Sequence, residues 1–504
     1  MKRTTSFLLF LVISLQLCSL VVAQSDYTER IKEIIPQNQV EFNIYFLAAD
    51  EFLGRDTGSN ELDIASRYIA TWFQTKGIGM VPGHDSYFQN VPFQRFFSPE
   101  EASFAAGDSV FILNQDFVAM NSVRGELDAE IIFLEYASRT ELNEVDVEGK
   151  IVVAEAGLPG QTSPQQLFST SQQKIEWAAE AGAAGLVELF TNPQFPWQFL
   201  VNFLGGERIA VMDNETGEET DIPHLWLNSV RHNLKPHFNT VSGTMASLSV
   251  LGPESEKFYS RNVVGFIEGT DDNLKHEHIL LSAHYDHIGV VSNHLEPITS
   301  EYIYNGARDN AVGTAGVLAA AKYFSKHPPK RSVIFAAWTG EERGLLGSGY
   351  FAENPMIPLE QIVYNLNIDG AGYNDTTKVT VIGLGRTEAD DEMMLAADSF
   401  GLEAIADPVP EQNLFDRSDN VQFARRGIPA PTYSMGLTAF DDEINYYYHQ
   451  VTDEPHTLNY EYITAYIRSF VLAAQKIADR AEAPFWLPGD VYEQAGIELF
   501  GRER

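Results

Sequence analysis

Short, unbroken apolar runs separated by glycine, proline and polar turns dominate the C-terminal half of the chain. "RNVVGFIEGT", "HILLSAHYD", "RSVIFAAW", "IVYNLNID" and "KVTVIGLG" are rich in β-branched and aromatic residues and too short for core helices, so they read as buried strands. Between them, "AVGTAGVLAAAKYFSKH", "RGLLGSGYFAENP" and "EADDEMMLAADSF" carry helical spacing and end at breakers. Strands alternating with helices predict a largely parallel sheet covered by helices. Upstream, from about Asn38 to Phe93, "FNIYFLAADEFLGRDTGS" and "ELDIASRYIATWFQTKGI" predict helices around a turn-rich break. The middle stretch changes texture: "AEIIFLEYA", "GKIVVAEAG" and "AGLVELF" are strand-like, and "SQQKIEWAAEAGAAG" is a helix ending at glycine. This stretch is expected to be an insertion that interrupts the α/β domain after its first helices.

Composition narrows the class. Residues 2–23, "KRTTSFLLFLVISLQLCSLVVA", have a basic start, an apolar core and a small final residue, which predicts a secretory signal cleaved after Ala23. Ser14, Gln16 and Ser19 interrupt the run and argue against a retained membrane anchor. Leu17 is too large for lipoprotein cleavage before Cys18, and no later segment has the apolar length of a span. Cys18 is the single cysteine, so the mature chain is expected to lack disulfides, thiolate ligands and a cysteine nucleophile. Export without disulfides points to a bacterial periplasmic or secreted protein. The formal charge is −36, and losing Lys2 and Arg3 with the signal would make it −38. Such a surface repels nucleic acid and anionic membranes.

Two adjacent carboxylates, Glu341 and Glu342, lie in "TGEERGLLGS", the turn between the strand-like "RSVIFAAW" and the next helix. Open α/β sheets put their ligands at such turns. A lone acidic pair there is more often a solvated turn, so the other strand ends decide. "HYDHIG" places His284 at a strand end with Asp286 two residues on, a spacing in which the carboxylate can orient an imidazole ligand. Asp309 in "NGARDNAVGTAG" could equally be a helix N-cap. Asp369 follows the strand "IVYNLNID", and His449, preceded by Tyr448, sits in the loop "NYYYHQVTDEPHTL". Each alone is more often structural. Together, His284, Asp309, Glu342, Asp369 and His449 fall at or beyond strand ends that share one edge of a parallel sheet. Histidine and carboxylate ligands without cysteine suit zinc in an open catalytic site, which leaves Glu341 free to act as a base.

The chain resembles the exported di-zinc aminopeptidases, bacterial-type metallopeptidases whose relatives include glutamate-carboxypeptidase-like members. The resemblance rests on "AHYDHIG", "NGARDNAVG", "TGEERGLLGS", "NLNIDGAG", "SDNVQFARRGIPA" and "YYHQVTDEPHTL" in the family's order, with "LAADEFLGRDTGSNELDIASRYIATWF" similar to its N-terminal segment. "DVEGKIVVAEAG" and "WAAEAGAAGLVELF" resemble the protease-associated domain that some members insert. The resemblance implies a three-layer α/β/α zinc-peptidase domain with a mixed, largely parallel sheet. Its expected divisions are a signal at 1–23, peptidase segments at 24–109 and 246–482, a β-rich protease-associated insertion at 110–245 and a C-terminal tail at 483–504.

Residue by residue, the resemblance implies two Zn2+ per chain. Asp309 would bridge them, His284 and Asp369 would complete one site, and Glu342 and His449 the other. Glu341 would be the general base, Asp286 the partner of His284, and Tyr448 a donor to the oxyanion. The implied reaction is removal of N-terminal residues from peptides. Arg308, beside the bridging Asp309, and Asn420, where the family often has His, are departures. Arg308 brings a cation near the metals and keeps open a carboxypeptidase or dipeptidase that grips a substrate carboxylate. A glutaminyl cyclase would need one zinc, and a non-catalytic receptor would be expected to lose ligands. His287 is expected to be structural or substrate-lining, His294 and His456 receive no role, and the acidic patches "FFSPEEASF" and "MDNETGEETD" are expected to be solvated loops.

Overall fold

The computed structural model describes residues 27–121, 123–161, 164–192, 197–204, 207–212, 221–230, 232–291 and 301–502. The expected signal at 1–23, Cys18 and His294 lie outside the described residues, as does most of "MDNETGEETD". No helix among the described residues is long and apolar enough to cross a membrane.

The chain forms two compact units. The larger takes in the residues up to Val91 and from Tyr259 onward, and the smaller is Pro92–Phe258. In the larger unit the strands run in the order Glu403–Ala406, Lys378–Ile382, Thr432–Met435, Ile362–Ile368, His278–His284, Ser332–Trp338 and Ser255–Ile267. His278–His284 pairs in parallel with both Ser332–Trp338 and Ile362–Ile368. Ile362–Ile368 pairs in parallel with Thr432–Met435, and Lys378–Ile382 with Glu403–Ala406. The pairs Lys378–Ile382 with Thr432–Met435, and Ser255–Ile267 with Ser332–Trp338, are antiparallel. The sheet is therefore mixed with a parallel centre.

The central strands are apolar without interruption because both their faces are covered. Ile279, Leu281 and Ala283 pack with Val333, Phe335 and Ala337 into one core, against helices Gln37–Leu47, Asn60–Lys76, Val312–Phe324 and Tyr460–Ala478. Leu280, Ile334, Ala336 and Trp338 face the opposite core, with Phe351, Phe423, Phe485 and Trp486. Helix, sheet and helix thus make three layers. Helix Val312–Phe324 approaches the sheet so closely that a Cβ on Gly313 would lie 2.4 Å from the Ile368 carbonyl oxygen, which accounts for the small residues in "NAVGTAG". The expected tail from residue 483 is part of this unit: Phe485 and Trp486 are buried, and the Trp486 indole N–H donates to the Gly427 carbonyl at 2.9 Å.

The smaller unit reaches beyond the expected 110–245 at both ends. Strand Met245–Leu251 pairs antiparallel with Glu101–Ala106 and with Gly125–Phe133, and Gly125–Phe133 continues in parallel through Ile151–Glu155, Gly185–Phe190 and His224–Asn228. Its centre holds a buried polar cluster that no sequence motif announced. The Lys174 ammonium, fully buried, lies 2.5 Å from Glu188 Oε1, while Glu188 Oε2 accepts from Ser171, from His224 Nε2 at 2.9 Å and from Trp226 Nε1 at 2.9 Å. Burial alone would raise the Glu188 carboxyl, but Lys174 and the hydrogen bond from His224 hold it well below the usual carboxylate range. Breaking such a pair strands a buried charge, so Glu188→Ala is expected to destabilise the smaller unit by about 3–5 kcal/mol. Because the folded carboxyl is depressed, its contribution is complete above the unfolded value of about 4.3 and is lost as pH falls through the folded value. Hydrogen exchange over 151–190 is the readout, and the gap between wild type and variant should be full at neutral pH and shrink in strong acid.

Candidate metal centre

Each candidate residue is delivered by the end of a central strand or the loop after it. His284 closes strand His278–His284 in register with Trp338, so "TGEE" begins on the same edge, and Asp369 directly follows Ile368. Asp309 is not an N-cap. It lies in a tight turn, Ala307–Ala311, ahead of the helix, with φ −116° and ψ 91°, and the N-cap position of helix Val312–Phe324 is held by Ala311. Its two oxygens divide instead between two histidines: Oδ1 is 3.1 Å from His284 Nε2, and Oδ2 is 3.1 Å from His449 Nε2. His284 Nε2 is also 3.2 Å from Asp369 Oδ1, and His449 Nε2 is 3.2 Å from Glu342 Oε2. His449 holds this position with φ +54° in its loop.

These spacings fit metal coordination. Two donors each about 2.0–2.1 Å from a tetrahedral zinc lie about 3.3 Å apart. The charge balance points the same way. Burial opposes charge on His449, yet hydrogen bonds to Asp309 and Glu342 raise it to about 10, and His284 is also driven well above its usual value against burial. A carboxylate cluster that pulls protons onto histidines carries an excess of negative charge that a cation can offset. Ligand-type atoms of His284, Glu341 and Asp369 lie within 4.8 Å of one another, as do those of His287, Asp309 and Glu342. His287, expected to be structural or substrate-lining, therefore enters the second group. Its Nδ1 is 2.6 Å from Glu342 Oε1, while Glu342 Oε2 faces His449. This contact fixes the Glu342 carboxylate in the manner of an outer-shell histidine.

Glu341 lines the cleft beside these groups. Burial pushes its carboxyl well above the usual range, with His284 opposing and Glu342 adding to the rise. The backbone N–H of Glu341 donates to Asp286 Oδ1 at 3.2 Å, and Thr57 Oγ1 donates to Asp286 Oδ2 at 3.0 Å. Asp286 thus differs from expectation in detail. Its carboxylate lies 3.9 Å from His284 Nδ1, and the nearer acceptor of that nitrogen, at 3.2 Å, is the Asp286 carbonyl. Asp286, its carboxyl pushed up to about 6 by burial, anchors the "EE" turn as well as the histidine loop.

Several supporting residues were not singled out from sequence. Arg55, wholly buried, donates to the carbonyls of Leu47, Tyr285, Asn305 and Gly306, tying the "GRDTGS" segment to the His284 and Asp309 loops. Asp453 accepts the backbone N–H of both Arg308 and Asp309. Ser418 donates to Asp369 Oδ2 at 2.5 Å. The motif strings "LGRDTGS", "VTDEPH" and "RSDN" contained these residues, but a string does not say which loop a side chain will cross to.

Arg308 is corrected outright. It is 3 % exposed, paired with Asp453 at 3.0 Å and stacked 3.5 Å over the Tyr447 ring, so its charge is spent inside the fold and it does not line the cleft. The cleft, about 400 Å³, is lined by the candidate ligands, by Glu341 and Tyr448, and by apolar side chains including Leu345, Leu414, Leu437 and Phe440. Tyr448 stacks on the His449 ring at 4.0 Å, and its hydroxyl accepts from Arg417 Nη2 at 3.2 Å. Burial and the neighbouring Asp309 raise its phenol, so it stays a donor at neutral pH.

A three-layer α/β domain thus gathers histidines and carboxylates beyond its parallel strand ends, where open α/β sheets place their ligands. Residues 262–473 match the model of Peptidase family M28. A vacuolar membrane protease of Saccharomyces cerevisiae is 36% identical over 115 residues, which are 23% of this chain and 10% of that protein. One from Clavispora lusitaniae is 30% identical over 168 residues, 31% of this chain and 15% of that protein. The matches thus span only about a tenth to a seventh of these curated relatives. Among solved structures, an aminopeptidase from Aneurinibacillus sp. strain AM-1 superposes with a TM-score of 0.56 at 20% identity, over 90% of this chain and 97% of that one, and so shares the fold.

Proposed function

We propose that this protein is a zinc-dependent aminopeptidase that hydrolyses the first peptide bond of peptides with a free N-terminus. The observation that carries the reading is the division of the Asp309 carboxylate between His284 and His449 at 3.1 Å each, with Glu341 lining the same cleft. In this reading His284, Asp309 and Asp369 hold one zinc, and Asp309, Glu342 and His449 the other. Zinc, when bound, supplies Lewis acidity for the scissile carbonyl and acidifies water from about 15.7 to about 7.

The chain's own residues do the rest. Glu341 takes the proton of the attacking water and delivers it to the leaving amine. Tyr448 presents its O–H to the oxygen on which charge develops. Asp286 holds the Glu341 backbone and the His284 loop in register. The anionic cleft attracts the substrate ammonium, and its apolar wall accommodates an apolar first side chain. The smaller unit is the protease-associated insertion, and residues 1–23 direct export to the periplasm or medium.

Metal analysis of zinc-supplied protein should approach two ions per chain, and chelation should abolish cleavage. N-acetylation of a peptide substrate should abolish it as well. Cleavage that survives acetylation but is abolished by C-terminal amidation would move the assignment to a carboxypeptidase, and tight binding of a single ion to a cyclase-like enzyme.

A further inference from the structure

Arg417 is the one arginine or lysine lining the cleft among the described residues. Many cations of this acidic chain are neutralised: Arg308 pairs with Asp453 at 3.0 Å, Arg331 with Glu277 at 2.7 Å, and Arg386 with Asp490 at 2.7 Å. Among the described residues Arg417 makes no such ion pair. Its polar contact is the Tyr448 hydroxyl at 3.2 Å, which engages one of the five N–H donors of the guanidinium. The adjacent Asp416 also lines the cleft, but its oxygens are engaged elsewhere: Oδ1 accepts from the Tyr492 hydroxyl and Oδ2 from Asn413 Nδ2, both at 3.2 Å. An exposed guanidinium with no ion pair among the described residues therefore faces a cleft whose other charged groups are Asp309, Glu341, Glu342, Asp369 and Asp416, with His284 and His449.

We propose that Arg417 is a specificity-determining residue that binds a carboxylate of the substrate. The inference rests on the peptidase reading and adds a substrate class to it, short zwitterionic peptides. A free carboxylate is repelled by the acidic end of the cleft and attracted to Arg417, while a free ammonium is drawn the opposite way. The two ends together orient the peptide. The carboxylate is either the C-terminal α-carboxylate of a short peptide or an acidic side chain, and both present the planar pair of oxygens that a guanidinium fork accepts. A charge-assisted hydrogen bond of this type corresponds to about 10- to 100-fold in affinity.

The test compares wild type, Arg417→Gln and Arg417→Lys as zinc-loaded full-length protein on leucyl-alanine, leucyl-alaninamide and leucyl-aspartic acid α-amide. Arg417 also touches Tyr448, so every rate is expected to fall, and the ratio between substrates isolates the carboxylate. Wild type should favour carboxylate-bearing substrates by about 10- to 100-fold in kcat/KM, mainly through KM, with Arg417→Gln losing that preference and Arg417→Lys keeping part of it. Preference for leucyl-alanine identifies the α-carboxylate, and preference for the aspartyl amide the side chain. Calorimetric titration of leucyl-alanine and its amide into wild type and Arg417→Gln needs no turnover. A chain that cleaves none of these peptides would overturn the aminopeptidase reading, and the titration would still decide the role of Arg417. Equal affinities for acid and amide in wild type, no binding of either, or a selectivity unchanged in Arg417→Gln overturns the proposal.

Discussion

Glu341→Gln is expected to keep its metal and to slow peptide hydrolysis by about 10²–10⁴-fold, the usual worth of a positioned general base. The substitution preserves shape and leaves in place the Glu341 backbone N–H that donates to Asp286 Oδ1. It removes only the oxygen that can accept a proton. The adjacent Glu342 gives the control, because its oxygens face His287 and His449. Glu342→Gln should weaken metal retention as well as activity. Metal content and single-turnover rates on the two variants separate the roles. A fully active Glu341→Gln, or one that sheds metal while Glu342→Gln keeps it, would reverse the assignment.

Asp309→Asn is expected to have the largest effect on metal. Among the described residues the aspartate is the one whose two oxygens reach both His284 and His449, and an amide keeps only one of those acceptors and none of the charge. Retention of both ions should fall together, by more than the about 10–100-fold typical of an outer-shell change. Asp369→Asn should instead weaken mainly the ion associated with His284. Titration of zinc into metal-free protein, followed by calorimetry and elemental analysis, distinguishes a joint loss from a single one. If Asp309→Asn bound one ion with undiminished affinity, the bridging role would be wrong. In the metal-free state the variant should also unfold at lower temperature than wild type near neutral pH, since against its burial His284 and His449 hold the Asp309 carboxyl well below the usual range, and the amide loses both ion pairs.

By itself the sequence determined the layering and the candidate ligands, because both are written in local pattern. A strand buried on both faces must be apolar throughout, so "HILLSAH" and "RSVIFAAW" announced the central sheet. A parallel sheet puts its strand ends on one edge, so His284, Glu342 and Asp369 could be grouped without coordinates. What only the tertiary structure decided is where long side chains and buried charges find their partners. Arg308 and Arg417 look alike in sequence, each beside a motif residue. The fold buries the first against Asp453 and Tyr447 and leaves the second open to the cleft. His287, three residues after a candidate ligand, became a neighbour of Glu342 only because residues 54–57 pin its loop, with the His287 N–H donating to the Arg55 carbonyl at 3.1 Å. The Lys174, Glu188 and His224 cluster joins a helix and two strands of the smaller unit. Such contacts depend on the relative placement of elements distant in the chain. Local periodicity records which face of an element is buried, but not which charge will meet it there.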